Sequence, residues 1–462
     1  MRRISEVLAV PLALSAGLAI VGLASTASAG TGANWPAYLD GPLHSSYAAA
    51  ETAITPAGAS ALSERWHFVG STGHNLHYPL YMASPTVADG AVFIGSDTGW
   101  FYKLDELTGA VLAKTFLGVQ PARTCPGIGV ADTATVAVDP RDHRDTVYVA
   151  GPNGYLYAFR ASNLTLRWLS VIAIPSATTN DYFEWSSPTV TNGKIYIGVA
   201  SNCDGPLIRG AVIGYDQLTG TKFAEFYAVP TGDRGGSVWS SVAAAPGGDV
   251  YVTTGNGPSW APELSYSESM LKLDPRTLRP LGQFKVPPSQ MINDGDFGAS
   301  PTIFGPYVGA CNKNGIFYVL NRSTMRLAWE ARIGVPKARH AYAECIAAAA
   351  YNGKDLYIAG RATTIRGKSY SGSVQERETT GKLVWETGLP EGGDASPSSD
   401  RGGVIAVGTY GDGAARNAVY ILSARSGKII RTLVEGFDFA QATFADGRLF
   451  TVNAFGVYAW AS

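Results

Sequence analysis

Short segments of alternating apolar and polar residues follow one another along this chain, and turns containing glycine separate them. Two stretches show the pattern best, Ser84–Gly95 (SPTVADGAVFIG) and Ser187–Gly198 (SPTVTNGKIYIG). Each is followed by another alternating segment that ends in an Asp-x-Leu-Thr-Gly turn, at Gly109 and at Gly220. Alternation with a period of two is typical of β-strands, and Asx-Gly pairs favour tight hairpins. The pattern therefore predicts a repeating unit of four antiparallel strands.

The unit returns at intervals of roughly 40–55 residues, which is typical of repeat architectures. Its starts lie near Ser84, Ala134, Ser187, Ser240, Ser300, Ile346, Ser396 and Gln441. The last unit stops after three strands, at Trp460, whereas Ala61–Val69 precedes the first unit and contains an unassigned strand. An N-terminal strand that completes the C-terminal unit would close the ring and leave no open sheet edge. The sequence thus predicts an all-β protein, an eight-bladed β-propeller closed in this way.

A tryptophan marks the fourth strand of several units. Trp66 in the N-terminal strand matches Trp168, Trp329 and Trp385 in later units. Large apolar rings at one position of a repeat favour packing between neighbouring units. We therefore expect these tryptophans to fill the gaps between blades.

The amino-acid composition is typical of a protein built from strands and turns, and it argues against a nucleic-acid partner. Charged residues make up only 16% of the chain, which contains 54 glycines and 23 tyrosines. Lys and Arg number 36 against 37 Asp and Glu, without a basic stripe, so we expect no nucleic-acid partner. No segment beyond the N-terminal region is apolar for long enough to span a bilayer.

The N-terminal region resembles an export signal. Arg2 and Arg3 precede an apolar stretch at 7–23, and Ala27-Ser28-Ala29 provides small residues for cleavage. We predict a signal peptide over residues 1–29, an N-terminal extension over 30–60 and the propeller over 61–462. The mature protein is then expected outside the cytoplasm, secreted or in the cell envelope.

Unusual polar residues cluster at one face of the predicted ring. In an up-and-down blade, the loop before the first strand and the loop after the second strand lie on the same face. The loops before or at first strands contain Cys125, Trp239 and Asp296, and those after second strands contain Cys203, Asp204, Asn256 and Lys313. A rigid scaffold that gathers such residues on one rim is typical of a functional site.

Four cysteines in an exported chain favour disulfides, with three possible connectivities. Cys125 and Cys203 fall in adjacent predicted blades, as do Cys311 and Cys345. We predict these two pairs. Metal binding is the alternative, but no CxxC spacing is present, and without a CxxCH motif no covalently attached c-type haem is expected.

Five segments in the third to fifth units resemble, in order, those of quinoprotein alcohol dehydrogenases. They are Arg209–Asp216, Phe226–Trp239, Tyr251–Trp260, Asp294–Pro301 and Asn312–Arg322. The Asp-Phe-Gly-Ala-Ser-Pro form at 296–301 and the lack of a haem motif are most similar to the polyvinyl-alcohol dehydrogenase branch without its cytochrome part.

The resemblance implies bound pyrroloquinoline quinone and a calcium ion above the central channel. It makes Trp239 the platform under the quinone and Asn256 a calcium ligand. Asp296 would be the general base, with Asp294 as its competitor. Lys313 would hydrogen-bond the quinone oxygens and stabilise charge as hydride arrives.

Two departures from the family pattern concern the cysteines and the metal. Cys125 stands alone where many members have two adjacent cysteines, and the family's calcium-binding glutamate falls in a loop of different length. Asp204 is the residue in that loop that would replace it.

Two functions from different classes follow. The first is an exported quinone-dependent alcohol dehydrogenase that acts on a small or polymeric alcohol and passes electrons to an external acceptor. The alternative is a non-catalytic propeller that serves as a binding scaffold.

Overall fold

The chain folds as an eight-bladed β-propeller, as the repeat predicted. The structure is a computed structural model and describes residues 33–72, 80–258, 261, 264–335, 345–411, 417–435 and 439–462. The predicted signal peptide at 1–29 lies outside these ranges. Within them, eight antiparallel sheets form the blades, and we label the four strands of each blade A to D from the channel outward.

The blades follow chain order around the ring. Blade 1 consists of Thr86–Ala88, Ala91–Gly95, Trp100–Asp105 and Val111–Phe116, and blade 2 of Thr135–Val138, Asp145–Gly151, Tyr155–Arg160 and Leu166–Val171. Blade 3 consists of Thr189–Thr191, Lys194–Ser201, Ala211–Asp216 and Lys222–Tyr227, and blade 4 of Ala243–Ala244, Val250–Thr253, Ser269–Leu273 and Pro280–Lys285. Blade 5 consists of Thr302–Phe304, Tyr307–Asn312, Ile316–Asn321 and Leu327–Arg332, and blade 6 of Ala350–Tyr351, Asp355–Ile365, Lys368–Glu378 and Leu383–Leu389. Blade 7 consists of Ser398–Asp400, Val404–Gly408, Ala418–Ser423 and Ile429–Glu435, and blade 8 of Thr443–Ala445, Arg448–Val452, Val457–Ala461 and the N-terminal Ser63–Phe68.

The ring closes where the sequence predicted. Ser63–Phe68 pairs antiparallel with Val457–Ala461, so the N-terminal strand is strand D of blade 8. No strand edge is left open at the junction of the two chain ends, which is the usual way a propeller protects its seam.

Six of the eight repeats begin with a serine or threonine that bonds to the neighbouring blade. Its hydroxyl accepts a hydrogen bond from a backbone N–H of the preceding blade. Six such bonds occur in the described residues: Gln441 to Ser84, Ser84 to Thr133, Thr133 to Ser187, Ser187 to Ser241, Ser241 to Ser300 and Ala348 to Ser396. Because these N–H groups are buried, each would be costly to leave unpaired.

The threonine two residues later in the motif provides a second set of inter-blade bonds. In five blades its hydroxyl donates to a backbone carbonyl of the next blade: Thr86 to Ala134, Thr135 to Pro188, Thr189 to Val242, Thr302 to Ala349 and Thr443 to Pro85. The Ser-x-Thr element of the repeat therefore joins neighbouring blades around the channel.

The fourth-strand tryptophans pack between blades, as predicted. The Trp66 indole donates to the Glu106 carbonyl of blade 1 at 2.9 Å, and its ring lies on Gly109. A Cβ on Gly109 would approach the ring to 2.7 Å. The same packing of ring on glycine joins Trp168 to Gly220, Trp329 to Gly381 and Trp385 to Gly427. In these four turns the glycine is thus required by the tryptophan of the preceding blade.

The N-terminal extension is folded onto the propeller. It contains a 3₁₀ turn at Tyr38–Asp40 and a two-residue strand, Tyr47–Ala48, parallel to strand A of blade 7. A short helix at Pro56–Ala59 follows, capped by the Thr55 side chain. Another short strand, Tyr182–Phe183, adds to strand B of blade 3. None of these elements was predicted from the sequence.

Both predicted disulfides form. Cys125 is bonded to Cys203, which links blades 2 and 3 on the rim, and Cys311 is bonded to Cys345 in the buried interior. Among the described residues there is no helix with the length and apolar character needed to cross a membrane.

Candidate active site

A cavity of about 470 Å³ lies at the rim end of the central channel. Its size lies within the range of small-molecule and cofactor pockets. Five residues singled out from the sequence line it, namely Asp204, Trp239, Asp294, Asp296 and Lys313. Cys203 lines it as well, while Cys125 and Asn256 lie outside its wall.

Asp296 is buried at the base of the loop that precedes strand A of blade 5. Its side chain accepts a backbone hydrogen bond from Asn256 and an ion-paired bond from Lys313 Nζ, each at 2.5 Å. Burial alone raises the pKa of this carboxyl, but the Lys313 charge and the hydrogen bonds outweigh it and leave the pKa below its ordinary value. Asp296 is therefore ionised at neutral pH.

Gly255 makes the Asn256 contact possible. A Cβ at residue 255 would come within 2.3 Å of Asp296 Oδ1, so any larger residue would displace the carboxylate. The glycine of the Thr-Gly-Asn segment therefore has a steric role at the site in addition to its place in the repeat.

Lys313 follows strand B of blade 5 and lies over the ring of Trp239. Its Nζ lies 2.7 Å from Asp294 and 5.5 Å from the Trp239 ring centroid. Burial lowers the pKa of the ammonium group, but the two carboxylates raise it further, so the net direction is upward. A permanent positive charge thus lies above an aromatic face.

Asp294 differs from Asp296 in its surroundings. It is exposed, and Lys313 is the partner that its carboxylate contacts. Asp296, in contrast, is 3% exposed and fixed by two donors. The geometry therefore favours Asp296 over Asp294 as a positioned base.

Trp239 lies in the loop four residues before strand A of blade 4, whereas the sequence had suggested that it starts that strand. The ring rests on the backbone of Gly298, where a Cβ would come within 2.4 Å of Trp239 Cη2. The six-membered ring of the half-buried indole is thereby held in place, and the residue lines the cavity. This is a suitable platform for a planar ligand.

Asp204, Asp294 and Asp296 come together as a carboxylate cluster, with one oxygen of each within 4.8 Å of the others. Asn256 Oδ1 lies buried without a hydrogen-bond partner. Oxygen donors of this kind are the ligands that calcium prefers. Three carboxylates beside the single ammonium of Lys313 leave two unbalanced negative charges, which a divalent cation would neutralise. The donor set therefore fits calcium.

The Cys125–Cys203 disulfide helps to place Asp204. Cys203 directly precedes it, and the bond fixes this exposed loop to blade 2. The aspartate that the sequence offered as a substitute for the family glutamate is thus brought to the carboxylate cluster by a covalent link.

Sequence reasoning missed three groups near the cavity. Glu268 is buried behind the Asp294–Asp296 loop with both carboxylate oxygens unpaired, and burial raises its pKa to about 8. Asp394 lines the cavity and is held by Arg361 from blade 6, and Tyr38 enters from the N-terminal extension. Neither a motif nor the repeat distinguishes these residues, because long-range packing alone brings them to the site.

The chain is similar in sequence to quinohemoprotein alcohol dehydrogenases. No protein-family model matches the chain. The chain is 29% identical over 234 residues to quinohemoprotein alcohol dehydrogenase ADH IIB of Pseudomonas putida, covering 41% of this chain and 33% of that protein. It is 27% identical over 349 residues to lupanine 17-hydroxylase [cytochrome c] of a Pseudomonas species, covering 64% of this chain and 47% of that protein. The matches therefore span one third to one half of these relatives.

Solved structures share the fold at low identity. Quinohemoprotein alcohol dehydrogenase ADHIIG from Pseudomonas putida HK5 superposes with a TM-score of 0.72 at 17% identity, covering 93% of this chain and 80% of that one. A europium-containing methanol dehydrogenase gives 0.71 at 15% identity, covering 93% and 98%. BamB from Moraxella catarrhalis gives 0.56 at 17% identity, covering 87% and 100%.

These neighbours define the class of fold, a β-propeller. Quinohemoprotein alcohol dehydrogenases occur both among the sequence relatives and among the solved structures that share this fold, which confirms the resemblance seen in the sequence.

Proposed function

We propose that this protein is an exported quinone-dependent alcohol dehydrogenase. The observation that carries the proposal is one cavity lined by a buried, ionised Asp296, by the Lys313 ammonium that pairs with it, and by the Trp239 ring, over which that ammonium lies. These are the base, the charge-stabilising group and the flat platform that oxidation of an alcohol on a bound quinone requires.

Pyrroloquinoline quinone, when bound, supplies the hydride acceptor for the alcohol carbon. Trp239 would stack under its ring system, and the indole is packed against Gly298. Lys313 would donate hydrogen bonds to the quinone oxygens, where negative charge develops.

Asp296 would accept the hydroxyl proton of the alcohol. Its carboxylate is kept ionised by Lys313 and kept in place by the Asn256 N–H. Both donors also restrict its rotation, so the free lone pairs face a fixed direction. Proton removal from the oxygen makes departure of hydride from the adjacent carbon easier.

A cation would be held by Asp204, Asp294 and the Asn256 side-chain oxygen, beside the Asp296 carboxylate. We propose calcium, on the basis of the oxygen donors and the two unbalanced negative charges. The europium-containing methanol dehydrogenase shares the fold, so a trivalent lanthanide is a useful comparison ion in the same assay.

The proposed substrate is a small or polymeric alcohol, and the proposed electron acceptor is external to this chain. The names of the relatives, an alcohol dehydrogenase and a hydroxylase that carries "cytochrome c" in its name, support both points. The signal peptide predicted at residues 1–29 supports export to the cell envelope or the medium.

The competing function is a non-catalytic binding propeller, and the fold shared with BamB is the observation in its favour. That function does not require a buried aspartate, a lysine and a supported tryptophan around one cavity. Two of the matched sequence relatives are also alcohol dehydrogenases. We therefore favour the enzyme.

Reconstitution tests the proposal. Purified protein would be titrated with pyrroloquinoline quinone and calcium by calorimetry, and dye reduction followed with a panel of alcohols. We expect stoichiometric quinone binding and alcohol-dependent dye reduction. Absence of quinone binding would refute the enzyme assignment, and binding without turnover would indicate an inactive site.

Asp296→Asn separates the base from the binding site. We expect turnover to fall by about 10³-fold or more, with quinone binding retained. Glu64→Gln, which changes an exposed carboxyl in strand D of blade 8, is the matched control and should behave as wild type. If Asp294→Asn instead of Asp296→Asn abolishes turnover, the assignment of the base is wrong.

A further inference from the structure

The N-terminal extension follows the inner strands around the channel. From Trp35 to Ser46, its backbone carbonyls accept hydrogen bonds from N–H groups of A strands in six blades. These bonds are Val87 to Trp35, Val136 to Pro36, Ala244 to Pro42, Ile303 to Leu43, Tyr351 to Ser45 and Ser399 to Ser46. We call residues 33–48 the channel plug, because this path fills the inner end of the channel.

Two side chains of the channel plug form hydrogen bonds where two repeats lack the inter-blade threonine. Blade 4 has Ala243 and blade 6 has Ala350 at the position of the inter-blade threonine. The carbonyls that those threonines would reach are Pro301 and Pro397. His44 Nδ1 lies 2.9 Å from the Pro301 oxygen, and the Ser46 hydroxyl donates to the Pro397 oxygen.

The contact with the Pro301 carbonyl determines which ring nitrogen of His44 carries the proton. A carbonyl only accepts hydrogen bonds, so Nδ1 must carry the proton. Burial lowers the pKa of His44 to about 4, so the ring is neutral at physiological pH. Its role at the Pro301 carbonyl is therefore that of a neutral donor, as a threonine hydroxyl would be.

The plug also adopts a backbone that needs support. Leu39, Asp40, His44 and Ser46 have φ between 53° and 60°, in the left-handed region that non-glycine residues rarely adopt. Such conformations persist when the surrounding structure holds them in place. The bonds to six blades provide that support.

Tyr38 connects the plug to the cavity. It lines the same cavity as Trp239 and Asp296, and its hydroxyl lies beside Ser396 and Ser300. Both serines line the cavity as well. The phenol thus forms part of the floor, at the side opposite the open rim.

We propose that the channel plug is an integral part of the ligand site: it seals the channel from the inner end, and Tyr38 is the positioning residue that sets the depth of the cavity. The role of Tyr38 toward the quinone rests on the proposed function, whereas the seal does not. A sealed channel leaves the rim as the entrance and excludes water from below the reacting groups.

Hydrogen exchange tests the seal without any ligand. In the full chain, we expect the amides of Ala244, Ile303 and Tyr351 to exchange slowly. His44→Ala should make them exchange at least about 10-fold faster, because it removes one anchor of the plug. His143→Ala, at an exposed histidine, is the matched control.

A rescue variant makes the test specific to the missing threonine. Adding Ala243→Thr to His44→Ala supplies a hydroxyl for the Pro301 carbonyl, so slow exchange should return at least in part. If His44→Ala leaves exchange of these amides unchanged, the plug does not act as a seal and the proposal is overturned.

Quinone titration of the apoprotein by calorimetry tests Tyr38. Tyr38→Ala should weaken quinone binding by about 10-fold or more, since it removes the floor, and Tyr38→Phe should lose less, since it keeps the ring. Equal affinity for wild type and Tyr38→Ala would overturn the positioning role. If wild type binds no quinone, the proposed function fails, and the exchange experiment alone decides the seal.

Discussion

Gly298 shows how one residue determines the geometry of the site. It has no side chain, and the Trp239 ring occupies the space where a Cβ would lie. In Gly298→Ala the added methyl would lie 2.4 Å from the Trp239 ring and 2.8 Å from Ile346, so the ring must shift. Overpacking of this kind costs about 2 kcal/mol. We expect quinone affinity, measured by calorimetry, to fall by about 10-fold.

The matched control for this substitution is Gly247→Ala. A Cβ at that glycine meets nothing within 4 Å, and its backbone does not require glycine. Its affinity should equal that of wild type. A Gly298→Ala protein with unchanged affinity would show that the indole is not the platform.

Asp40 of the channel plug makes stability depend on pH. Burial raises the pKa of its carboxyl from 3.8 to about 8. The folded state therefore favours the protonated form, and this residue destabilises the fold progressively as pH rises from about 4 to about 8. Asp40→Asn, which remains neutral, should raise the Tm at pH 8 and change it little at pH 4.

Thermal melts at the two pH values check this sign. Glu64→Gln, at an exposed carboxyl, should show no such difference between pH 4 and pH 8. A Tm gain for Asp40→Asn that is equal at both values would contradict a buried, protonated carboxyl.

At the scale of the element, strand A connects the blades through hydroxyl groups as well as through apolar packing. Thr135 is 4% exposed and donates to the Pro188 carbonyl of the next blade at 2.6 Å. Thr135→Val keeps the shape but leaves that carbonyl without its donor. We expect a loss of about 1–3 kcal/mol in the free energy of unfolding, measured by denaturant titration.

Thr52→Val provides the comparison, since Thr52 is exposed on the surface of the N-terminal extension. Its unfolding free energy should stay within about 0.5 kcal/mol of wild type. If Thr135→Val is equally neutral, the inter-blade hydroxyl bonds do not contribute to stability.

At the scale of the whole molecule, the ring depends on contact between the two ends of the chain. Trp66 packs on blade 1 and donates to the Glu106 carbonyl, and its strand pairs with the last strand of the protein. Trp66→Ala should lower the free energy of unfolding by about 3–5 kcal/mol. Hydrogen exchange should rise on both sides of the seam, in Ser63–Phe68 and Val457–Ala461.

Trp168→Ala distinguishes an effect on closure of the ring from a general effect of tryptophan packing between two blades. Trp168 occupies the equivalent position between blades 2 and 3, where both strands belong to continuous chain. Its exchange effect should stay in those two blades. Increased exchange at the seam in Trp168→Ala would show that a tryptophan between any two blades controls the whole ring.

The sequence determined the fold almost completely. Strand alternation recurs in every copy, and the Ser-x-Thr element, the Gly-containing turns and the tryptophan recur in several copies, where they form the same inter-blade contacts. Counting the copies predicted eight blades and the closing strand. The rim residues also followed from strand direction alone, because alternation fixes which loops share a face.

The tertiary structure decided what lies inside the ring. Tyr38, His44 and Ser46 belong to a segment without a repeat, and their partners Ser396, Pro301 and Pro397 are more than 200 residues away in sequence. Asp394 likewise reaches the cavity, and Glu268 the back of the Asp294–Asp296 loop, through packing that no local spacing encodes. A repeat is visible in sequence because each unit solves the same local problem, whereas a channel plug and a carboxylate cluster depend on distances that exist only once the ring has closed.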